Sequence, residues 1–121
     1  MVSYKRVVQT ATGEALVPRA RWCDNFGSKL RGFTWRRALG PGEGLVLVQP
    51  NDSRINSAIH MLFVFFSLGV FWVNDAGHVV DAVLARPWRL HYAPRVPARY
   101  VVETHPDVLS HVQIGDEIHF D

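Results

Sequence analysis

The sequence predicts an α+β fold in which strands dominate. We expect a mixed or antiparallel curled sheet, partly barrel-like, with one principal short helix. Runs rich in β-branched and aromatic residues fill most of the chain, and turns containing Gly, Asn or Pro separate them. A single segment, which follows Asp24, carries apolar residues at helical spacing. The chain has 121 residues, 48% of them apolar, so we expect residues 1–121 to form a single domain.

The first half of the chain predicts two strands, a helix and a third strand. Residues 2–10 and 15–22 are the first two strands, with a turn at Gly13 between them. Asp24 is a good N-cap for the helix, and Gly32 ends it after two to three turns, where we expect a positive φ. The third strand spans about 45–49.

The second half predicts strands throughout. The elements expected in order are a strand at 55–61, a strand at 69–73, a hairpin turn at 74–77, its return strand at 78–84, a proline-rich loop at 85–99, a strand at 99–103, a helical turn near 105–109 and a strand at 117–120. Gly77 should have a positive φ in that hairpin turn.

The apolar stretch at residues 58–73 should be a buried core rather than a membrane span. It is shorter than the roughly 20 residues that cross a bilayer, and Phe, Val and Trp favour strands. Cys23 is the one cysteine of the chain, so an internal disulfide is excluded and a buried structural thiol is expected. The first residues do not resemble a signal peptide. We therefore expect a soluble, cytoplasmic protein without membrane contact.

Arginine and tryptophan alternate in three places, at residues 19–22, 35–37 and 86–89. Such a pattern suits base stacking with phosphate contacts, but it equally suits core tryptophans covered by arginine side chains. The formal net charge is only +2, and the acidic residues concentrate in the second half. We therefore favour the core interpretation, and binding of RNA or single strands stays as an alternative.

Four stretches of this sequence together resemble a known family of small bacterial and archaeal proteins, the domain-of-unknown-function family 192. The stretches are Lys29-Leu30-Arg31-Gly32-Phe33-Thr34, then Gly42-Glu43-Gly44-Leu45-Val46-Leu47, then Ser57-Ala58-Ile59-His60-Met61-Leu62-Phe63 leading into Val70-Phe71-Trp72-Val73-Asn74-Asp75-Ala76-Gly77-His78-Val79-Val80, and finally Arg86-Pro87-Trp88-Arg89 with Val101-Val102-Glu103 and Ile114-Gly115-Asp116. The resemblance covers about residues 15–120. It implies a compact, strand-rich α+β domain and no established activity.

The sequence departs from the family pattern after His60. The family typically has Met, a basic residue, Pro, an apolar residue and Asp there, whereas this chain has Val64, Phe65, Ser67, Leu68 and Gly69. A polar site built on that basic residue and Asp is therefore absent from this chain.

The expected ligand-binding residues are Arg31, His60, Arg89 and Glu103, each within one of the resembling stretches. His60 lies in an apolar strand, where it is either a core histidine or part of a cleft with Arg89 and Glu103. The sequence offers no catalytic residue, no metal-ligand pattern and no cofactor motif. We expect a noncatalytic binding or accessory module, monomeric or weakly dimeric, whose partner is a small molecule or a protein. An enzyme using the same polar residues is the first alternative.

Overall fold

The structure is a computed structural model that describes residues 3–24, 39–40, 42–59, 61, 64–89 and 91–121. Its strands are β1 Ser3–Gln9, β2 Ala15–Cys23, β3 Glu43–Ser53, β4 Leu68–Val73, β5 Val79–Ala85, β6 Ala98–Thr104 and β7 Ile118–Phe120, and a 3₁₀ helix spans Pro106–His111. The strand predictions for β1, β2, β4, β5 and β6 are confirmed to within two residues. The predicted helix after Asp24, with Gly32 at its end, lies outside the described residues.

The seven strands form one mixed sheet in the order β5-β4-β6-β3-β2-β1-β7. β2 and β3 run parallel, and every other neighbouring pair is antiparallel. The two ends of this order approach each other, because the Ile118 N–H donates to the Gly77 carbonyl at 2.7 Å and His78 pairs with Glu117. The sheet therefore curls into a barrel-like shape, as the sequence predicts. The described residues are mostly β, and their helical content is the one 3₁₀ helix.

The sheet buries apolar side chains on both faces. The inner cluster lies on the concave face and takes residues from all seven strands, with Val7, Val17, Val46, Phe71, Val79, Val102 and Ile118 among its members. The outer cluster lies on the convex face and contains Cys23, Leu45, Leu47, Val70, Trp72 and Val101. Residues outside the strands, including Ile59, Met61 and Val64, complete the outer cluster. Cys23 is fully buried there, which confirms the prediction of a buried thiol.

The described residues of the apolar stretch 58–73 are buried or half-buried, in agreement with the prediction of a core, but the first part of the stretch is not a strand. Phe71 and Trp72 are almost fully buried in β4, and Phe63 lies outside the described residues. The predicted strand at 55–61 is wrong, since the chain turns after β3 and Ile59 forms only an isolated bridge. Ser53 causes this turn: its Oγ accepts the Asn56 N–H at 3.0 Å, and its carbonyl accepts the Ser57 hydroxyl. Such side-chain–backbone hydrogen bonds compete with strand pairing.

No helix among the described residues is both long enough and apolar enough to cross a membrane.

The β4–β5 hairpin has the predicted turn. Gly77 adopts φ +91°, a conformation that L side chains rarely adopt, and its N–H donates to the Asn74 carbonyl at 2.9 Å. The Asn74 side chain accepts the His78 N–H at 2.9 Å and so fixes the same turn. This turn also meets β7 and helps to close the sheet, since the Gly77 carbonyl accepts the Ile118 N–H.

Candidate functional site

Glu103 is a buried carboxylic acid on the convex face of the sheet. It lies on β6 between Leu45 of β3 and Val70 of β4, and both of these neighbours belong to the outer cluster. Side chains alternate across a strand, so Glu103 shares its face with Val101. Only 6% of its surface is exposed. The sheet therefore places a carboxyl group among apolar side chains.

Burial changes the acidity of this group. Desolvation raises the pKa of Glu103 from its ordinary value of 4.5 to about 7, because the charged form is disfavoured away from water. No hydrogen bond or ion pair joins its carboxyl group to any of the residues that the structure describes. Strongly shifted pKa values cluster at functional sites, so the raised pKa makes Glu103 a candidate for such a site.

The site lies at one particular end of the sheet. β3 and β4 begin at this end and β5 and β6 finish at it, as the pairings of Gly44 and Gly69 with Thr104 show. The segments that enter or leave these strands therefore meet here. Leu39 and Phe66, from two of these segments, pack against the outer cluster. The convex face is thus covered by connecting segments rather than by another sheet.

Arg89 lies on one of these segments, residues 86–92, which we call the strap. The Arg89 carbonyl accepts the Met61 N–H at 2.7 Å, and the Met61 carbonyl accepts the Trp88 N–H at 2.8 Å. The Arg89 side chain is exposed, and its guanidinium carbon is 5.4 Å from the centre of the Tyr92 ring. Tyr92 in turn packs against the outer cluster. Arg89 therefore belongs to the cover of the convex face, above the cluster that holds Glu103.

The structure describes two of the four expected site residues. Arg31 and His60 lie outside the described residues. The two neighbours of His60 are described, and Ile59 pairs with Tyr92 while Met61 bonds to the strap at Arg89. Arg89 lies in the strap and Glu103 lies in β6. No hydrogen bond or ion pair between described residues joins them. Convergence of His60, Arg89 and Glu103 in one cleft stays a prediction.

Sequence reasoning missed one residue of the strap and one buried acid. Trp88 has a positive φ of 66° and is 46% exposed, although tryptophan beside a strand end predicts core. Asp81 is almost fully buried in β5 and holds Arg95 at 3.1 Å. An acid inside the apolar run of residues 78–84 was the available signal for Asp81. No local pattern signals the backbone of Trp88.

The arginine–tryptophan alternation at residues 19–22 serves internal packing. Trp22 packs on Phe120 at 5.2 Å between ring centres, and the Lys5 ammonium lies 4.4 Å from the Trp22 ring. The Arg19 guanidinium lies 4.1 Å from the Tyr4 ring. Trp22 is half-buried against the inner cluster, in agreement with the core interpretation, whereas that interpretation is wrong for the exposed Trp88. The corresponding residues at 35–37 lie outside the described part of the chain.

Metal ligation has no support in the described part of the chain. No three histidine, cysteine, aspartate or glutamate side chains of those residues come together in a group that could hold a metal ion.

The fold and the buried acid define a class: a small β-rich domain whose curled sheet carries a polar group under covering segments on its convex face. The chain belongs to the domain-of-unknown-function family 192, described as an uncharacterised ACR, whose pattern matches residues 7–120. A UPF0127 protein of Thermococcus sibiricus is 34% identical over 116 residues, which are 93% of this chain and 72% of that protein. A UPF0127 protein of Pyrococcus furiosus is 31% identical over 114 residues, covering 93% of this chain and 95% of that protein. The resemblance that the sequence predicts is thereby confirmed.

Two solved structures share the fold. A Sinorhizobium meliloti protein, named as a candidate transcription regulator, superposes with a TM-score of 0.83 over 99% of this chain and 94% of its own, at 17% identity. A Novosphingobium aromaticivorans protein of unknown function superposes with a TM-score of 0.75 over 98% of this chain and 84% of its own, at 16% identity. At these identities the likeness concerns the fold, and no catalytic function comes with the family.

Proposed function

We propose that the chain is a noncatalytic binding module for a small molecule. Glu103 is the group at the floor of its site, and the strap at Arg89 forms part of the cover. The observation that carries this proposal is the Glu103 carboxyl itself, which is buried among apolar side chains and lacks a partner among the described residues. A ligand would provide the partner that the described chain does not.

The energetic cost of this arrangement supports a functional role. A pKa raised from 4.5 to about 7 corresponds to a destabilisation of about 3 kcal/mol once the group is ionised, at about 1.4 kcal/mol per unit. A leucine at the same place would avoid this cost and fill the outer cluster. A cost of this size is a large fraction of the stability of a small domain, and such costs concentrate at sites that bind or react.

The surroundings of Glu103 indicate the chemistry of the ligand. Leu45 and Val70 flank the carboxyl, so the part of the ligand that lies against the sheet should be apolar. The carboxyl accepts hydrogen bonds when ionised, so the ligand should also present a donor, such as an ammonium, amide or hydroxyl group. The site therefore suits a small amphiphilic molecule with a single donor.

An enzyme is the second candidate, because a carboxyl with a pKa of about 7 suits general acid–base catalysis at neutral pH. Such catalysis needs further groups that bind and polarise the substrate. Among the described residues, no polar side chain forms a hydrogen bond or ion pair with the Glu103 carboxyl. Binding is therefore the better supported function. A cytoplasmic location and a monomeric or weakly dimeric state belong to the same proposal, and the lone buried Cys23 suits a reducing compartment.

The test uses three probes that share a benzyl or phenyl ring and differ in the donor: benzylamine, benzyl alcohol and benzamide. Each is titrated into the ¹⁵N-labelled protein at pH 8, where Glu103 is mostly ionised, and amide shifts are followed by NMR. We expect benzylamine, present as the ammonium ion, to shift the amides of Leu45, Val70 and Glu103 most strongly. Its affinity should fall at pH 5.5, because the carboxyl is then neutral.

The variants assign the binding to the carboxyl. Glu103→Leu keeps the volume and removes the acceptor, so it should abolish the shifts, while the exposed Glu117→Gln should leave them unchanged. The proposal is wrong if none of the probes shifts these amides, or if the shifts persist in Glu103→Leu. Turnover of a benzyl ester or amide that Glu103→Gln abolishes would favour the enzyme instead.

A further inference from the structure

The strap contains the one non-glycine residue with a positive φ among the described residues. Trp88 adopts φ +66°, and its backbone N–H donates to the Met61 carbonyl at 2.8 Å. For a bulky residue this conformation is strained and persists only when the surrounding structure imposes it. Met61 also donates back to the Arg89 carbonyl at 2.7 Å, so the two hydrogen bonds hold both sides of Trp88. Strain of this kind is concentrated at binding and active sites.

The strained backbone presents an aromatic ring to solvent. Trp88 is 46% exposed, whereas Trp72 is almost fully buried and Trp22 is packed on Phe120. The Trp88 ring meets the Phe65 ring edge to face, with 5.5 Å between ring centres and 79° between planes. This contact orients the indole and leaves part of its surface accessible. An oriented, accessible indole is a suitable surface for a planar ring to stack on.

Two exposed arginines lie within two residues of Trp88 in the sequence, and their charges are not neutralised within the described chain. Arg86 and Arg89 are exposed, and no described carboxylate forms an ion pair with either. Three other described arginines, Arg6, Arg95 and Arg99, pair with aspartates. Guanidinium groups without a carboxylate partner attract anions, and each can bind a carboxylate or phosphate with two hydrogen bonds.

Tyr92 contacts the backbone of one arginine of the strap and the side chain of the other. The Tyr92 hydroxyl accepts the backbone N–H of Arg86 at 2.8 Å, and the Arg89 guanidinium carbon is 5.4 Å from the centre of the Tyr92 ring. These contacts hold the Arg86 backbone and the Arg89 side chain at Tyr92 before any ligand arrives, which lowers the entropy that binding would cost.

We propose that the strap is a second binding site, which takes a small molecule whose planar aromatic ring carries a phosphate or a carboxylate. The ring stacks on Trp88, and the anionic group lies between Arg86 and Arg89. Arg89 also lies in the cover proposed for the Glu103 site, but the two sites differ in the group they recognise: Glu103 recognises a donor, and the strap recognises an acceptor. A nucleoside monophosphate and an aromatic carboxylic acid both have the required chemistry.

The experiment follows the side-chain indole N–H signals of the ¹⁵N-labelled protein, with the Trp88 signal assigned from Trp88→Phe. Four probes are titrated: AMP and indole-3-acetate, which carry ring and charge, adenosine, which carries the ring alone, and inorganic phosphate. We expect AMP and indole-3-acetate to shift the Trp88 signal with at least about tenfold higher affinity than adenosine or phosphate, as stacking and ion pairing reinforce each other. Equal affinity for AMP and adenosine would overturn the proposal.

The variants separate the parts of the site. Arg86→Gln with Arg89→Gln should lower AMP affinity about tenfold or more, while Arg6→Gln, whose arginine pairs with Asp121, should not change it. Glu103→Leu should also leave AMP binding unchanged, so a failure at the strap and a failure at Glu103 are separate results. The proposal is wrong if AMP shifts only other indole signals, or if a single-stranded oligonucleotide shifts the Trp88 signal and AMP does not.

Discussion

Glu103 is a titratable residue on an otherwise apolar part of the convex face. Its neighbours Leu45, Val70 and Val101 are apolar, and only 6% of the residue is exposed. Because burial raises the pKa of Glu103 to about 7, the neutral acid is the main form below that pH. The charge of the convex face therefore changes near neutral pH. A ligand with a cationic donor would bind the ionised form and lower this pKa.

The stability of the protein should depend on pH through this residue. Between the unfolded value of 4.5 and the folded value of about 7, the native state binds more protons than the unfolded state, so the free energy of unfolding falls as pH rises. The contribution is absent below pH 4.5 and reaches a loss of about 3 kcal/mol above pH 7. Glu103→Gln removes the titration. Urea unfolding at pH 4.5 and pH 8 should therefore show a stability gain of this variant over the parent that grows with pH.

The control is the same substitution at an exposed position, Glu117→Gln, which should follow the parent at both pH values. A difference between Glu103→Gln and the parent that is independent of pH would show that the carboxyl of Glu103 is not the group that titrates.

At the scale of the element, covering segments are attached to the sheet by a few polar contacts. The segment before β6 depends on Asp81 of β5, whose carboxylate accepts the Arg95 backbone N–H at 2.9 Å and its guanidinium at 3.1 Å. The Ala82 N–H donates to the same carboxylate at 2.9 Å. Because Asp81 is only 8% exposed, water cannot replace these bonds without rearrangement of the segment.

Replacing Asp81 with Asn should therefore destabilise the protein by about 1–3 kcal/mol, since a donor replaces an acceptor in a buried position. Asp75→Asn is the matched control: Asp75 also pairs with an arginine, at 2.7 Å from Arg99, but its side chain is 63% exposed. That variant should change the free energy of unfolding by less than about 1 kcal/mol. Urea denaturation at pH 7 measures both, and equal losses for the two variants would contradict the role given to Asp81.

At the scale of the whole molecule, the strands were predictable from local patterns and the closure of the sheet was not. The hairpin at Asn74 and Gly77 is local chemistry, and it is where the sequence places it. The parallel pairing of β2 with β3 joins strands separated by the long segment after Cys23, and no turn residue specifies it. The turn at Ser53 was missed because one serine side chain there overrides a run of strand-forming residues.

The residues of the candidate site were predictable from the sequence, but the face of the sheet on which they lie was not. The family resemblance selects Arg89 and Glu103, yet periodicity cannot tell the convex face from the concave face when both are apolar. Only the curl of the sheet places Val101 and Glu103 outside and Val102 inside. The exposure of Trp88 follows from hydrogen bonds to Met61, which lies far from it in sequence.

The proposed site depends on a Glu103 carboxyl that is buried and has no partner among the described residues, and its titration by NMR tests this directly. The protein is labelled with ¹³C at the glutamate carboxyl carbons, and the Glu103 signal is assigned from Glu103→Gln. We expect its chemical shift to follow a single transition with a midpoint at about pH 7, the value to which burial raises the pKa. A midpoint near the ordinary 4.5 would show a carboxyl that is solvated or paired, and would contradict the proposed site.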